Sequence, residues 1–309
     1  MNSAVLPGEA ARRRPRPTKW AMLALLRRDK FALAAAVFLV VVVLAALVGP
    51  PLLGGIGIDM DLMARNAPPF EPDRGFWHIL GSDALGRPIL ARIIIAARPT
   101  LLIAAAAVLL SMVVGVLLGL IAGYKGGIVG DVIMRLTDIV MSFPSLLLAL
   151  VVLYIFGPAI TNVIIVLAIT RVPVYLRTTR AEVLEIRSRM FVVAAEVTGA
   201  SVFRTVSRHI LPMVVPTIAT LMTIEFAFVM LAEASLSFLG LGVQAPDFTW
   251  GVMVAEGRSY LATAWWLSFW PGVFIALVTM SLNLLSNWLR IATDPVQRWR
   301  LEREVASDE

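Results

Sequence analysis

The chain has 309 residues, 59% of them hydrophobic and only 16% charged, with a mean hydropathy of +0.84, a composition outside the range of soluble domains and typical of an integral membrane protein. Its formal net charge of +6 is concentrated in the tail RRRPRP and beside the apolar runs, which fits anchoring of the membrane faces and argues against nucleic-acid binding. The absence of Cys excludes a disulfide framework, a thiolate nucleophile and a zinc–thiolate site.

In chain order, residues 1–30 form a basic tail. The apolar run 31–49 (FALAAAVFLVVVVLAALVG) is close to the roughly 20 residues a helix needs to cross the hydrocarbon, and it is expected to remain as an anchor because the basic region before it is far longer than that of a secretory signal. Residues 31–98 thus hold a first span and an extracytoplasmic stretch rich in Pro, Gly and Asp. A second span is expected over 99–123, with Ser111, Gly115 and Gly119 four apart on one face, a stripe suited to close packing within the chain. Between Ile139 and Thr170 no residue is charged, and at about 1.5 Å per residue that run is too long for one crossing. Gly157-Pro158 divides it into spans over 132–156 and 159–176, and further spans over 213–238 and 265–290 bring the number to six. The fold expected is an all-α membrane protein with a five-helix core over 99–291, a loop at 178–212, and a tail at 292–309. Eight Lys and Arg precede the first span, and 177–211 carries six Arg against three Glu, which places both termini and that loop in the cytoplasm.

Chemistry is hard to find in this chain. The Gly-rich stretch GYKGGIVGD (123–131) lacks the Lys-Ser/Thr ending of a phosphate-binding loop, His78 and His209 are expected on opposite sides of the membrane, and neither HExxH nor G-x-S-x-G occurs. The chain is therefore read as a non-enzyme without cofactor or metal of its own. Within the spans the residue of most interest is Glu225, about 18 Å along a helix starting at Met213. Two placements are open: on a translocation pathway with Met222 and Val229 on the same stripe, or hydrogen-bonded inside the subunit, with Asn283 as a candidate partner.

The loop before the fifth span has more pattern. Residues 181–198 suit a helix, Gly199 suits the left-handed position just past its end, and 202–211 is amphipathic, with Phe203, Val206 and Ile210 on one face and Arg204 and Arg208 on another. Pro212 is expected to open the next span. Ala194-Ala195, Gly199 and Ile210-Leu211-Pro212 resemble the cytoplasmic loop of ATP-binding-cassette (ABC) importer permeases, E-A-A, three residues, Gly, nine residues, I-x-L-P, with Val193 standing where that pattern has Glu and Glu196 nearby. GSDALGRPILARIIIAARPTLLI (81–103), AGYKGGIVGDVIMRLTDIVMSFPSLLLAL (122–150), LAEASLSFLGLGVQAP (231–246) and WGVMVAEGR (250–258) are similar to the C-type permeases of dipeptide and oligopeptide importers, a group that includes nickel importers. Pro88 replaces the family's usual Asp and Glu225 a usual small residue.

The resemblance implies a type I permease fold in a bacterial cell membrane, a second, homologous permease forming the pathway with this chain, and an extracytoplasmic solute-binding protein. It also implies two partner ATPases, which would carry the ATP and Mg and would be gripped by the 181–212 loop through Ala194, Ala195, Glu196, Gly199, Phe203, Arg204, Arg208 and Pro212. Besides a nickel or other small-solute importer, the competing reading is a proton-coupled secondary transporter, against which the lack of inverted repeats counts.

Overall fold

The computed structural model describes residues 25–293, so most of the basic tail and the segment 294–309 lie outside the described residues. The described chain is helical almost throughout: α1 (Lys30–Ile58), α2 (Ile89–Lys125), α3 (Gly127–Ser142), α4 (Ser145–Phe156), α5 (Ile160–Arg187), α6 (Met190–Val197), α7 (Val202–Thr205), α8 (Leu211–Phe238), α9 (Trp250–Gly257) and α10 (Trp266–Thr293). Among the described residues, five helical segments are long and apolar enough to cross a membrane, or six when the bent pair α3–α4 is taken as one broken span.

Several spans run past their apolar cores. α1 starts at the Asp29 cap, whose side chain accepts from the Ala32 amide at 2.9 Å, and continues through Pro50 and Pro51 to Ile58. α2 begins ten residues before 99 and takes Pro99 in its stride. In hydrocarbon a helix satisfies its own backbone, and neighbouring groups can satisfy what a proline frees, so prolines that would end a soluble helix are carried within it. Pro88 takes the N-cap of α2 and offers no side-chain acceptor there.

The pairing of α2 with α5 organises the core. A Cβ on Gly115 would lie 2.6 Å from Tyr175 Cβ, one on Gly119 2.6 Å from Thr179 Cβ, and one on Gly123 2.8 Å from Val183 Cβ. The small-residue stripe therefore packs within the chain, where its bare backbone lets the helices touch. Contact positions rise together along both helices, so α2 and α5 run parallel. Residues 126–159 must then return the chain across the bilayer.

That return is not the straight span expected over 132–156. α3 and α4 meet at Phe143-Pro144 with a bend of 85°. Pro144 has no amide to donate and forces Phe143 into extended backbone, φ −95° and ψ 138°. Gly157, at φ +85°, then ends α4 where the Gly-Pro signal placed a break.

At the end carrying residues 59–88 and 239–265, a buried ionic cluster closes the bundle. Asp83 Oδ1 accepts the Leu85 and Arg87 amides at 2.9 Å, and Oδ2 accepts Arg87 Nε at 2.6 Å and Arg92 Nη1 at 2.8 Å. Arg92 reaches on to Glu256 Oε2 of α9 at 3.2 Å and lies over the Phe248 ring, 4.7 Å from its centroid. Two buried Trp indoles reinforce the closure, Trp250 donating to Ile93 O at 2.8 Å and Trp266 to Ser82 O at 3.2 Å. GSDALGRP and WGVMVAEGR, far apart in sequence, thus form one joint.

Candidate functional site

At the opposite end the chain folds into a helical hairpin. α5 runs on to Arg187, further than its apolar part requires, and stops at Ser188, with Arg189 extended at ψ 142° to begin α6. The expected helix over 181–198 is thus broken once. Ser188 Oγ donates to Glu185 O at 2.8 Å, and Arg189 pairs with Glu185 at 2.6 Å across the break.

The turn is built as the sequence indicates. Gly199 has φ +85°, its amide donates to Glu196 O at 3.0 Å, and the Ala200 amide donates to Ala195 O at 3.0 Å. These two bonds are those of the Schellman ending. A Cβ at Gly199 would meet nothing within 4 Å, so the glycine is required by its backbone angle alone. Ser201 then caps α7, its side chain accepting from the Arg204 amide at 3.4 Å.

Pro212 does not open a separate helix. Residues 202–238 form one continuous helical run, with a π-segment over Val206–Ile210 in which the Leu211 amide donates to Val206 O. The wider turn lets Pro212 enter without an interrupted ladder, since proline cannot donate to the carbonyl four residues back. It also changes the phase of the helix faces. Ile210 is fully buried while Phe203 is 82% exposed, so these two do not share one face as the ideal spacing suggested.

The outer surface of the hairpin is unusually apolar. Met190, Val197 and Phe203 are each more than 80% exposed, with Arg204 and Arg208 exposed beside them. Val192, Thr205 and Ile210 anchor its inner side at 0% exposure. Ala194, Glu196, Gly199 and Pro212 are exposed, and Ala195 is half-buried. Glu196 has a partner within this chain: Tyr124 Oη, at the end of α2, donates to its Oε1 at 2.8 Å, and the Arg187 guanidinium stacks on the Tyr124 ring at 5.3 Å. Two further ties brace the root, Thr217 Oγ1 to Glu182 Oε1 at 2.7 Å and Arg177 to Asp138 at 2.6 Å.

Glu225 lies inside the subunit, with a partner other than Asn283. It is 4% exposed and enclosed by this chain's own helices, with its Oε2 3.7 Å from Arg171 Nη1 of α5. Val229 on the same stripe is fully buried, Met222 borders an apolar groove between α2 and α8, and Asn283 is exposed on α10. Burial overturns the open, pathway-facing stripe, and Arg171 replaces Asn283 as the partner. A carboxylate in hydrocarbon takes the nearest cation over a neutral amide. Sequence reading also missed Tyr124, whose role depends on α2 and α6 meeting, a contact no local pattern encodes.

Residues 115–298 match the family of the binding-protein-dependent transport system inner membrane component. The chain is 38% identical over 270 residues to the dipeptide transport system permease protein DppC of Escherichia coli, covering 87% of this chain and 90% of that protein. It is also 38% identical over 217 residues to the di/tripeptide transport system permease protein DppC of Pseudomonas aeruginosa, covering 70% and 72%. A chain of the MetNI methionine ABC transporter, solved in inward facing conformations, matches 63% of this chain and 94% of its own length at 18% identity and a TM-score of 0.51, a likeness of fold.

Proposed function

The chain belongs to the family of binding-protein-dependent transport system inner membrane components, and from that membership we propose that it is the permease subunit of an ATP-driven importer of di- and oligopeptides. It is a multi-pass, non-catalytic component of the inner membrane and works within an ABC complex. Its partners in this reading are a second, homologous permease, two cytoplasmic ATPases and an extracytoplasmic binding protein.

The observation that carries the reading is the hairpin of residues 188–210. An apolar surface made by Met190, Val197 and Phe203, with Arg204 and Arg208 beside it, stands on a Schellman turn between the ends of α5 and α8. Exposed apolar groups rimmed by charge mark a contact with a protein or a membrane surface, and membership of this transport family favours the protein. In our reading they seat in a groove of an ATPase. Arg204 and Arg208 meet acidic groups at its rim, and Ala194 and Ala195 allow close approach.

Glu196 has the inward role of tying the hairpin to α2 through Tyr124. Because 202–238 is one helical run, motion of the hairpin is delivered directly to the fifth span. ATPase closure then biases the bundle between two arrangements, as a switch driven by differential contacts requires.

Peptide uptake by the assembled importer tests this reading. It is expected to stop when the partner ATPase is inactivated by mutation and to persist in the presence of an uncoupler. Loss of uptake with the uncoupler at constant ATP would assign the chain to proton coupling instead.

A further inference from the structure

At the α3–α4 break, a charged side chain of α5 faces a cleft. Arg171 lies eleven residues into α5, about 16 Å along the helix, and is the charge that ends the uncharged run from Ile139 to Thr170. Its side chain is 17% exposed and borders a cleft of about 250 Å³ formed with Phe143, Ser145 and Leu148 at the α3–α4 bend. The cleft lies at the Pro144 kink, between the end of α3, the start of α4 and the facing turn of α5.

The guanidinium is held in place without being fully engaged. Its contact with Glu225 is 3.7 Å, an ion pair longer than a hydrogen bond, and its hydrogen bond to Ser145 Oγ is a long 3.4 Å. The Phe228 ring stacks against it at 5.6 Å from its centroid. Glu225 balances the charge from the buried side, so the cleft side of the fork retains donor capacity. Five N–H donors in a plane match a carboxylate best, with two parallel bonds.

We propose that Arg171 is a subsite for the substrate's carboxylate, presented at the α3–α4 break and held by Glu225 and Ser145. This rests on the peptide-importer reading, in which each substrate carries one free α-carboxylate through the bundle. Glu225 keeps the arginine oriented and its charge compensated before and after passage, so the anion is held briefly and released. Arg171 is a binding group in this scheme and Glu225 a positioning residue.

The test uses the Cys-free chain in the assembled importer, in liposomes. Ser145→Cys puts a thiol beside Arg171, and its modification is followed by mass with the anionic reagent 2-sulfonatoethyl methanethiosulfonate and its cationic 2-trimethylammonioethyl counterpart. The anionic reagent is expected to react at least ~10-fold faster relative to its rate with a free thiol, because the guanidinium draws an anion into the cleft. Ala-Ala is expected to slow that reaction, and its C-terminal amide to leave it unchanged. In the background Arg171→Met/Glu225→Met, which leaves no uncompensated charge, both the preference and the protection should vanish. Equal rates for the two reagents, no reaction with either, protection by the amide as well, or persistence of the preference in the double variant each overturns the proposal. Failure of the importer reading has a separate signature: the anion preference is present, but the unmodified assembly takes up no peptide with ATP.

Discussion

The hydroxyl of Tyr124 and the carboxylate of Glu196 meet at 2.8 Å across 72 positions of sequence, joining the end of α2 to the helix that leads into the Gly199 turn. α2 is also the helix that packs most intimately on α5, through Gly115, Gly119 and Gly123. The hairpin is consequently anchored at three places: to α5 at its start, to α8 at its end and to α2 at its middle. A force applied to its surface reaches three spans together.

Tyr124→Phe removes that hydrogen bond and keeps the ring under Arg187. One net hydrogen bond is worth about 0.5–1.5 kcal/mol, so the chain should insert and assemble normally. Peptide transported per ATP hydrolysed is expected to fall about two- to tenfold while basal hydrolysis is unchanged. An unaltered transport-to-hydrolysis ratio would show that the tether has no part in coupling.

Gly199→Val places a β-branched side chain at φ +85°, at a cost of about 1–3 kcal/mol in backbone strain although the space is open. Insertion should persist and stimulation of the ATPases by the loaded binding protein should be lost. Gly199→Asn, which tolerates the left-handed region, is expected to retain most of it. The comparison is made on purified complexes in liposomes, and wild-type stimulation in the Val variant would remove Gly199 from the coupling scheme.

Arg92→Met leaves Asp83 with Arg87 as its one side-chain cation and deprives Glu256 of its partner. Removing one member of a buried ion network typically costs about 3–5 kcal/mol. Glu256→Gln, at a side chain 52% exposed, should cost less than about 1 kcal/mol. Thermal unfolding in detergent should therefore separate the two variants clearly, with Arg92→Met much the less stable.

Gly119→Leu must force α2 from α5, since even its Cβ would lie 2.7 Å from Leu176 O. Loss of the folded, monodisperse species on size exclusion is expected. The same change at Gly54, where a Cβ meets nothing within 4 Å, should be tolerated.

Much of this architecture is legible in the sequence because hydrocarbon imposes length and apolarity. The Gly157-Pro158 break and the Gly199 turn follow from backbone chemistry alone. Helix faces are a different matter. An all-apolar span has no polar side to orient it, so the rotation that turns Glu225 inward toward Arg171 cannot be read from spacing. Pro144 was visible in the apolar run, but in a membrane a proline can be absorbed, as at Pro99, or break the helix, as here, and the neighbouring packing decides. The π-segment before Pro212 is a tertiary accommodation with no composition of its own. The joint of Asp83, Arg92 and Glu256 is carried by two sequence motifs whose meeting only the fold supplies.

Docking of the hairpin on an ATPase is tested most directly by a photo-crosslinking amino acid at Phe203, the 82% exposed ring of the hairpin. In whole cells it is expected to capture an ATPase subunit of the importer, with a yield that changes when ATP hydrolysis is blocked. A probe at Phe203 that yields no ATPase adduct, or Arg204→Cys labelled from outside intact cells by an impermeant thiol reagent, would contradict the account.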